Sequence, residues 1–233
     1  MEDDPQFCEF GPEILDIEIS SANSTDVRHY SNRVLFSENG CTGVGCKDFC
    51  YKGNCGDRSV HMTLHTFKKI LDNVPKTLNQ IALGILGING HPEMWDIIDE
   101  GRRCGIAMNL TSNGVGITSE IAKKLADKCG AVAISVNRYN KEIAYDAVKK
   151  LTDLGMEQIN FHVVLASETE SFIRGVATDI KTDPRLSKLN ALVMLAFKDK
   201  QKTNFFHQIS VENYNKLVDD LLKSSVSIGF DSC

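Results

Sequence analysis

The stretch AVAISVNRYNKEIAYDAVKKLTDLGMEQINFHVVL, residues 131–165, decides the fold. It opens on an apolar strand-like run at 131–136. It passes through an amphipathic helix-like segment at 141–154 and closes on a second apolar run at 158–165. A strand, a helix and a strand in that order make a βαβ unit, and repeated βαβ units imply a parallel sheet. The same rhythm extends in both directions. Further strands are expected at 14–19, 80–84, 106–110, 191–197 and 225–230, and further helices at 64–73, 92–104, 117–128, 168–179 and 211–224. Six or seven units fit an α/β fold of the TIM-like (β/α) barrel type, complete or partial. A doubly wound sheet is the alternative, because the unit pattern alone does not fix closure.

Composition sets the outer bounds. A chain of 233 residues supports one large domain, here taken as 1–233. A net charge of −5 argues against a general nucleic-acid binder, which carries a basic footprint. The start, Met1-Glu2-Asp3-Asp4-Pro5, is acidic and short of apolar residues, unlike a secretory signal. No stretch is long and apolar enough to span a membrane, so the expected location is the cytoplasm, where thiols stay reduced. The last residues, Ile228-Gly229-Phe230-Asp231-Ser232-Cys233, stop directly after a predicted strand. A barrel strand is normally followed by a covering helix, so a missing C-terminal extension is expected.

One segment breaks the rhythm. Residues from about 20 to 62 are rich in Ser, Asn, Gly and Cys, with one short apolar piece, Val34-Leu35-Phe36. A loop this long inside a compact domain is usually functional or disordered. Four of the eight cysteines fall here, in Cys41-Thr-Gly-Val-Gly-Cys46-Lys-Asp-Phe-Cys50-Tyr-Lys-Gly-Asn-Cys55. In a reducing compartment such a group points to a metal rather than to disulfides. Clustered thiolates select zinc or iron–sulfur. For zinc, Cys46-x3-Cys50 followed by His61-x3-His65 imitates a Cys2His2 finger, with a short intervening gap and two idle cysteines. His61 and His65 are otherwise expected at a helix start, solvated or capping. Cys8, Cys104 and Cys129 are expected to be buried small hydrophobes.

Strand alternation adds a second signal. Side chains on a strand alternate between faces. Within 106–113, Asn109, Thr111 and Asn113 share the face opposite Ile106, Met108 and Leu110. Within 131–137, Ala133, Ser135 and Asn137 oppose Val132, Ile134 and Val136. Within 158–165, Asn160 and His162 oppose Phe161, Val163 and Leu165. Three neighbouring strands thus direct polar residues to one interior, where such groups must bond each other, water or a ligand. Lys198, just past the sixth strand, is placed to add a donor. The spacing Gly84-x2-Gly87-x2-Gly90 after a strand invites a dinucleotide reading, but it is not Gly-x-Gly-x2-Gly.

These features together resemble the radical S-adenosylmethionine superfamily. Its usual cluster loop is Cys-x3-Cys-x2-Cys, and the chain carries Cys41-x4-Cys46-x3-Cys50 with Phe49 and Tyr51 flanking the third cysteine. The other registration, Cys46-x3-Cys50-x4-Cys55, restores the first gap and lengthens the second. The resemblance continues in order along the chain. Ala82-Leu83-Gly84 through His91-Pro92-Glu93 is similar to the second-strand Gly-Gly-Glu-Pro segment. Thr111-Ser112-Asn113-Gly114 is similar to the third-strand Thr-x-Asn-Gly, and Ser135-Val136-Asn137 to the fourth-strand Ser-x-Asp/Asn. Asn160-Phe161-His162-Val163-Val164-Leu165 resembles the fifth strand of a bacterial and phage-type subgroup that also ends in Phe-Asp-Ser-Cys.

The resemblance implies a [4Fe–4S] cluster on Cys41, Cys46 and Cys50, with the fourth iron open to S-adenosylmethionine. It implies reductive cleavage of that cofactor to a 5′-deoxyadenosyl radical, which abstracts hydrogen from a small-molecule or peptide substrate. An electron donor such as flavodoxin or ferredoxin is implied as well. Cofactor contacts are expected from Gly84, Asn89, Thr111, Ser112, Asn113, Ser135, Asn137, Asn160, His162 and Lys198. Where the family has Gly-Gly-Glu the chain has Gly84-Ile85-Leu86, so backbone carbonyls or Asn89 would receive the methionine amine. The alternatives are a zinc-stabilised binding module without enzymatic activity and a cluster-binding relative that has lost the reaction.

Overall fold

A computed structural model describes residues 11–20, 61–85, 88, 90–197 and 207–231. Its strands are β1 Ile14–Glu18, β2 Gln80–Gly84, β3 Ala107–Ser112, β4 Ala131–Ser135, β5 Ile159–Leu165, β6 Ala191–Ala196 and β7 Ile228–Asp231. The helices are α1 Leu64–Leu71, α2 Met94–Arg103, α3 Ser119–Lys128, α4 Lys141–Asp153, α5 Glu170–Thr182 and α6 Val211–Lys223. Single 3₁₀ turns at Ser167–Thr169 and Pro184–Leu186 flank α5.

The seven strands form one sheet in the order β1-β2-β3-β4-β5-β6-β7, and every neighbouring pair is parallel. That order decides between the two expected architectures. A doubly wound sheet reverses its strand order at a switch point, whereas a barrel adds each strand beside the last. The chain never reverses, so it is a (β/α) barrel. Among the described residues β7 does not pair with β1, which makes the barrel partial.

One face of the sheet carries the core. Ile81, Leu83, Met108, Leu110, Val132, Ile134, Ile159, Phe161, Val163, Leu165, Leu192 and Met194 are all buried beneath the helices. Each large aliphatic side chain taken out of water stabilises by about 1.5–3 kcal/mol. The helices answer with matching stripes. In α4, Ala144, Tyr145, Ala147, Val148, Leu151 and Thr152 are buried, at the spacing one helix face requires. Helix starts are set by hydroxyl caps: Thr63, Thr118 and Ser210 accept from the backbone N–H of Thr66, Ile121 and Asn213.

Most element boundaries shift by one to three residues from the sequence reading, and three differences have a clear local cause. β7 begins at Ile228 rather than at residue 225, because Ser225 has φ 60° and closes α6 in the left-handed region. The helix expected from 168 begins at Glu170, after a 3₁₀ turn whose Thr169 hydroxyl accepts from Ala166 N–H. His61 is not a cap: Thr63 fills that role, and His65 lies exposed on α1.

Gly101 of α2 shows how tightly the helix layer sits on the sheet. A Cβ there would lie 2.2 Å from Met108 Sδ and 3.1 Å from its Cγ, and Met108 is itself buried. We predict that Gly101→Ala lowers stability by about 1–3 kcal/mol through overpacking. Urea titration should show a lower midpoint with an unchanged slope.

Candidate functional site at the C-terminal end of the sheet

The concave face of the sheet, opposite the helices, carries the polar positions. The register divides them into two tiers. Toward the N-terminal ends of the strands, Asn109 donates to Gln80 Oε1 at 3.0 Å and accepts from Ala131 N–H at 2.9 Å. Asn160 accepts from Asn190 Nδ2 at 2.8 Å. These amides satisfy one another and the strand starts. Asn160, expected among the cofactor contacts, is therefore already partnered within the floor of the barrel. Thr111 shares its row, through Ala133 on β4.

Two residues further along, the situation reverses. Ser135 of β4 stands directly beside His162 of β5, and Val193 and Gly229 continue that row across β6 and β7. Among the described residues neither the Ser135 hydroxyl nor the His162 ring has a hydrogen-bond partner. Both line a cleft of about 540 Å³, part of it open to solvent, whose apolar walls include Tyr139, Val164, Phe172 and Leu195. Burial lowers the His162 pKa below its usual value, with Asp231 pulling weakly the other way. His162 is thus a neutral imidazole, with one nitrogen to donate and one to accept.

The two loops beside this cleft are tied by a residue that sequence reasoning missed. Asn140 is only 4% exposed. Its Oδ1 accepts from Asn137 N–H at 2.7 Å, and its Nδ2 donates to Ser135 O at 2.8 Å and Asn113 O at 2.9 Å. It therefore joins the loop after β3 to the loop after β4. Asn137 Oδ1 in turn accepts from the N–H groups of Tyr139 and Asn140, and Asn113 Oδ1 accepts from Val115 N–H. Both asparagines turn their own loops with the side-chain oxygen. Buried Ser112 accepts from Gly114 N–H at 3.2 Å. Gly114 has φ 82°, and a Cβ there would meet Ala144 Cα at 3.3 Å, so α4 packs directly on this turn. Thr-Ser-Asn-Gly is thus a turn that places β3 beside α4. Arg138, Tyr139 and Phe172 also escaped the sequence reading, because strand parity says nothing of loops and helix starts.

At the other side of the sheet, Gly84 ends β2 against β1. A Cβ at Gly84 would lie 3.1 Å from Glu18 Cα, and the Gly84 carbonyl accepts from Ile19 N–H. Just beyond, Ser20 and His61 form an isolated antiparallel bridge, with Ser20 Oγ 3.0 Å from His61 Nδ1. Residues 20 and 61 therefore stand side by side, at the C-terminal end of β1. Cys41, Cys46, Cys50, Asn89 and Lys198 lie outside the described residues, as do Cys8, Cys55 and Cys233. Of the cysteines expected to be buried, Cys104 is exposed at the end of α2. Cys129 packs against the core, where burial pushes its thiol up to about 12.

An apolar slot with a register-paired hydroxyl and neutral imidazole suits a ligand with a flat apolar ring and a hydrogen-bonding edge. A nucleoside has that form. The residues present therefore fit the nucleoside portion of S-adenosylmethionine.

No protein-family model matches the chain. A curated protein of Pyrococcus furiosus, the tungsten-containing aldehyde ferredoxin oxidoreductase cofactor-modifying protein, is 32% identical over 83 residues, covering 34% of this chain and 23% of that protein. Among solved structures, Streptococcus suis SuiB bound to S-adenosylmethionine superposes with a TM-score of 0.65 at 12% identity, covering 96% of this chain and 51% of SuiB. SuiB bound to its precursor peptide SuiA gives a TM-score of 0.66 at 12% identity, covering 96% of this chain and 49% of SuiB. The protein anSMEcpe with bound S-adenosylmethionine gives 0.64 at 15% identity, covering 93% of this chain and 61% of that protein. The chain thus spans about half the length of SuiB, and shares the partial-barrel fold of these proteins.

The histidines make stability depend on pH. His162 and His91 both have pKa values lowered from 6.5, chiefly by burial. The unfolded chain then binds more protons below that value than the folded chain does. Stability is full above about pH 6.5 and falls as pH drops toward the lowered folded values. Urea midpoints should hold steady between about pH 7.5 and 6.5 and decline as pH falls further toward about 5.5. His162→Gln should flatten part of that decline.

Proposed function

We propose that the chain is the barrel of a radical S-adenosylmethionine enzyme. The observation that carries this reading is the pair Ser135–His162, register-matched on β4 and β5, without hydrogen-bond partners among the described residues and facing a largely apolar cleft. It lies at the same end of the sheet to which the cysteine-bearing segment is tethered through Ser20 and His61. The fold shared with SuiB and anSMEcpe, both solved with S-adenosylmethionine, agrees with it. In this reading Cys41, Cys46 and Cys50 hold three irons of a [4Fe–4S] cluster.

When bound, the cluster and S-adenosylmethionine supply one-electron reductive cleavage of the sulfonium, yielding methionine and a 5′-deoxyadenosyl radical that takes a hydrogen atom from substrate. The chain's own residues bind and orient. Ser135 and neutral His162 offer hydrogen bonds to the nucleoside, and Tyr139, Phe172, Val164 and Leu195 take its ring and exclude water. Thr111, Ser112, Asn113, Asn137 and Gly84 shape the surrounding strand ends, with Asn89 and Lys198 as further contacts and Asn160 as support from below. The Gly84 carbonyl, already accepting from Ile19 N–H, keeps a second lone pair for the methionine amine in place of the family's glutamate.

For the substrate we favour a peptide. SuiB has been solved with the precursor peptide SuiA and anSMEcpe with the Kp18Cys peptide. An electron donor such as flavodoxin or ferredoxin would complete the system. Among the described residues no helix is long and apolar enough to cross a membrane. A cytoplasmic setting fits an oxygen-sensitive cluster and reduced thiols.

Anaerobic reconstitution should give about four irons and four sulfides per chain. Dithionite with S-adenosylmethionine should then release 5′-deoxyadenosine. A preparation that binds only zinc and never yields that product would sink the reading. Ser135→Ala and His162→Ala should each weaken S-adenosylmethionine binding by about 10-fold, at unchanged iron content, as measured by calorimetry.

A further inference from the structure

The segment His91-Pro92-Glu93 occupies the loop between β2 and α2, at the end of the stretch that resembles the family's Gly-Gly-Glu-Pro, and its side chains tie that loop to distant chain. His91 is 4% exposed. Its Nε2 lies 2.8 Å from Met62 O, and its Nδ1 accepts from Glu93 N–H at 3.0 Å. Both ring nitrogens are thus committed, and the pattern defines the tautomer: Nε2 carries the proton and Nδ1 the lone pair. Glu93 Oε2 accepts from Leu64 N–H, the first amide of α1. The His61 ring packs edge-on against His91 with centroids 5.1 Å apart. Met62 N–H donates to Ile19 O at 2.8 Å, and Ile19 N–H donates to Gly84 O at 3.0 Å.

Four of these contacts, His91 to Met62, Glu93 to Leu64, His61 to His91 and Met62 to Ile19, join residues 61–64 to something distant in sequence. Residues 61–64 are the stem by which the cysteine-bearing segment returns to the barrel. We infer that His91 is a positioning residue: through its Nε2–H bond to Met62 it fixes that stem against the loop after β2, and the hold of the cysteines on their metal depends on this anchor. The first half rests on geometry alone. The second half rests on the cluster reading given above.

The chemistry of the imidazole makes the two bonds separable. A glutamine places its Nε2 near the imidazole Nε2 and restores the bond to Met62. An asparagine places its Oδ1 near the imidazole Nδ1 and restores only the bond from Glu93. Rescue by one amide and not the other therefore reports which bond matters. Asparagine is also one methylene shorter than glutamine, so a packing loss is recognised separately, by acceleration that spreads to the amides of β4 and β5.

The experiment compares wild type, His91→Gln and His91→Asn in two arms. In the metal-free chain, hydrogen exchange is followed at the amides of Met62 and Leu64. We expect His91→Asn to accelerate both by about 10-fold or more, and His91→Gln to leave them near wild type, with the amides of β4 and β5 unchanged throughout. In the reconstituted chain, loss of iron to a chelator is timed. We expect His91→Asn to lose iron about 10-fold faster, the size of effect that outer partners of metal ligands commonly have, and His91→Gln to match wild type. Unchanged exchange at Met62 and Leu64 in His91→Asn would overturn the anchor. So would equal acceleration in β4 and β5, which would make His91 a plain packing residue. Altered exchange with unaltered iron loss would overturn the link to the metal. A wild-type chain that takes up no iron defeats the cluster reading and the link with it, while the metal-free arm still decides the anchor.

Discussion

The parallel hydrogen-bond ladder with strands added in strict sequential order constrains everything else in this protein. It forces every connection to cross the same face as a helix, so one face of the sheet is buried under α1 to α6 and takes nearly all the apolar side chains. The concave face is thereby relieved of supplying the core. It can carry asparagine, threonine, serine and histidine at positions where a closed barrel interior would hold bulky aliphatics. All strand C-termini also point the same way, so the loops after β1, β2, β3 and β4 meet at one end of the sheet.

That convergence is where polar side chains settle into distinct work. At the strand starts, Asn109, Gln80, Asn160 and Asn190 bond to one another and to backbone, which removes the cost of placing amides inside a barrel. At the strand ends, Ser135 and His162 keep their hydrogen-bonding capacity for a ligand, beside the apolar walls of the cleft. Between the loops, buried residues act as rivets. Asn140 joins the loops after β3 and β4, and His91 joins the loop after β2 to the stem at Met62. A buried amide or imidazole with all its groups paired is rigid, because releasing any bond leaves an unsatisfied polar group in a dry place.

The alternation of apolar strand and amphipathic helix was legible because it is local: a 3.6-residue or two-residue period needs no knowledge of distant chain. Parity along strands likewise found Ser135 and His162, since a strand's two faces follow from its own residues. Parity could not separate Asn160 from His162, which share a face and differ only in what lies opposite. It also could not find Arg138, Tyr139 or Phe172, which reach the cleft from a loop and a helix. His61 offered a metal-finger spacing in the sequence and proves to be a bridge partner of Ser20, 41 residues away.

By itself, then, the sequence determined the element types, the parallel α/β character, the crowding of thiols between residues 41 and 55, and the polar ends of β4 and β5. Each of these is written in residues close together along the chain. Only the tertiary structure decided that the strand order never reverses, that the sheet stays open between β7 and β1 among the described residues, and that Asn140 and His91 are rivets rather than surface polar residues. The reason is physical. A hydrogen bond such as that from His91 to Met62 joins groups 29 residues apart, and its partner is chosen by which loops the sheet brings together.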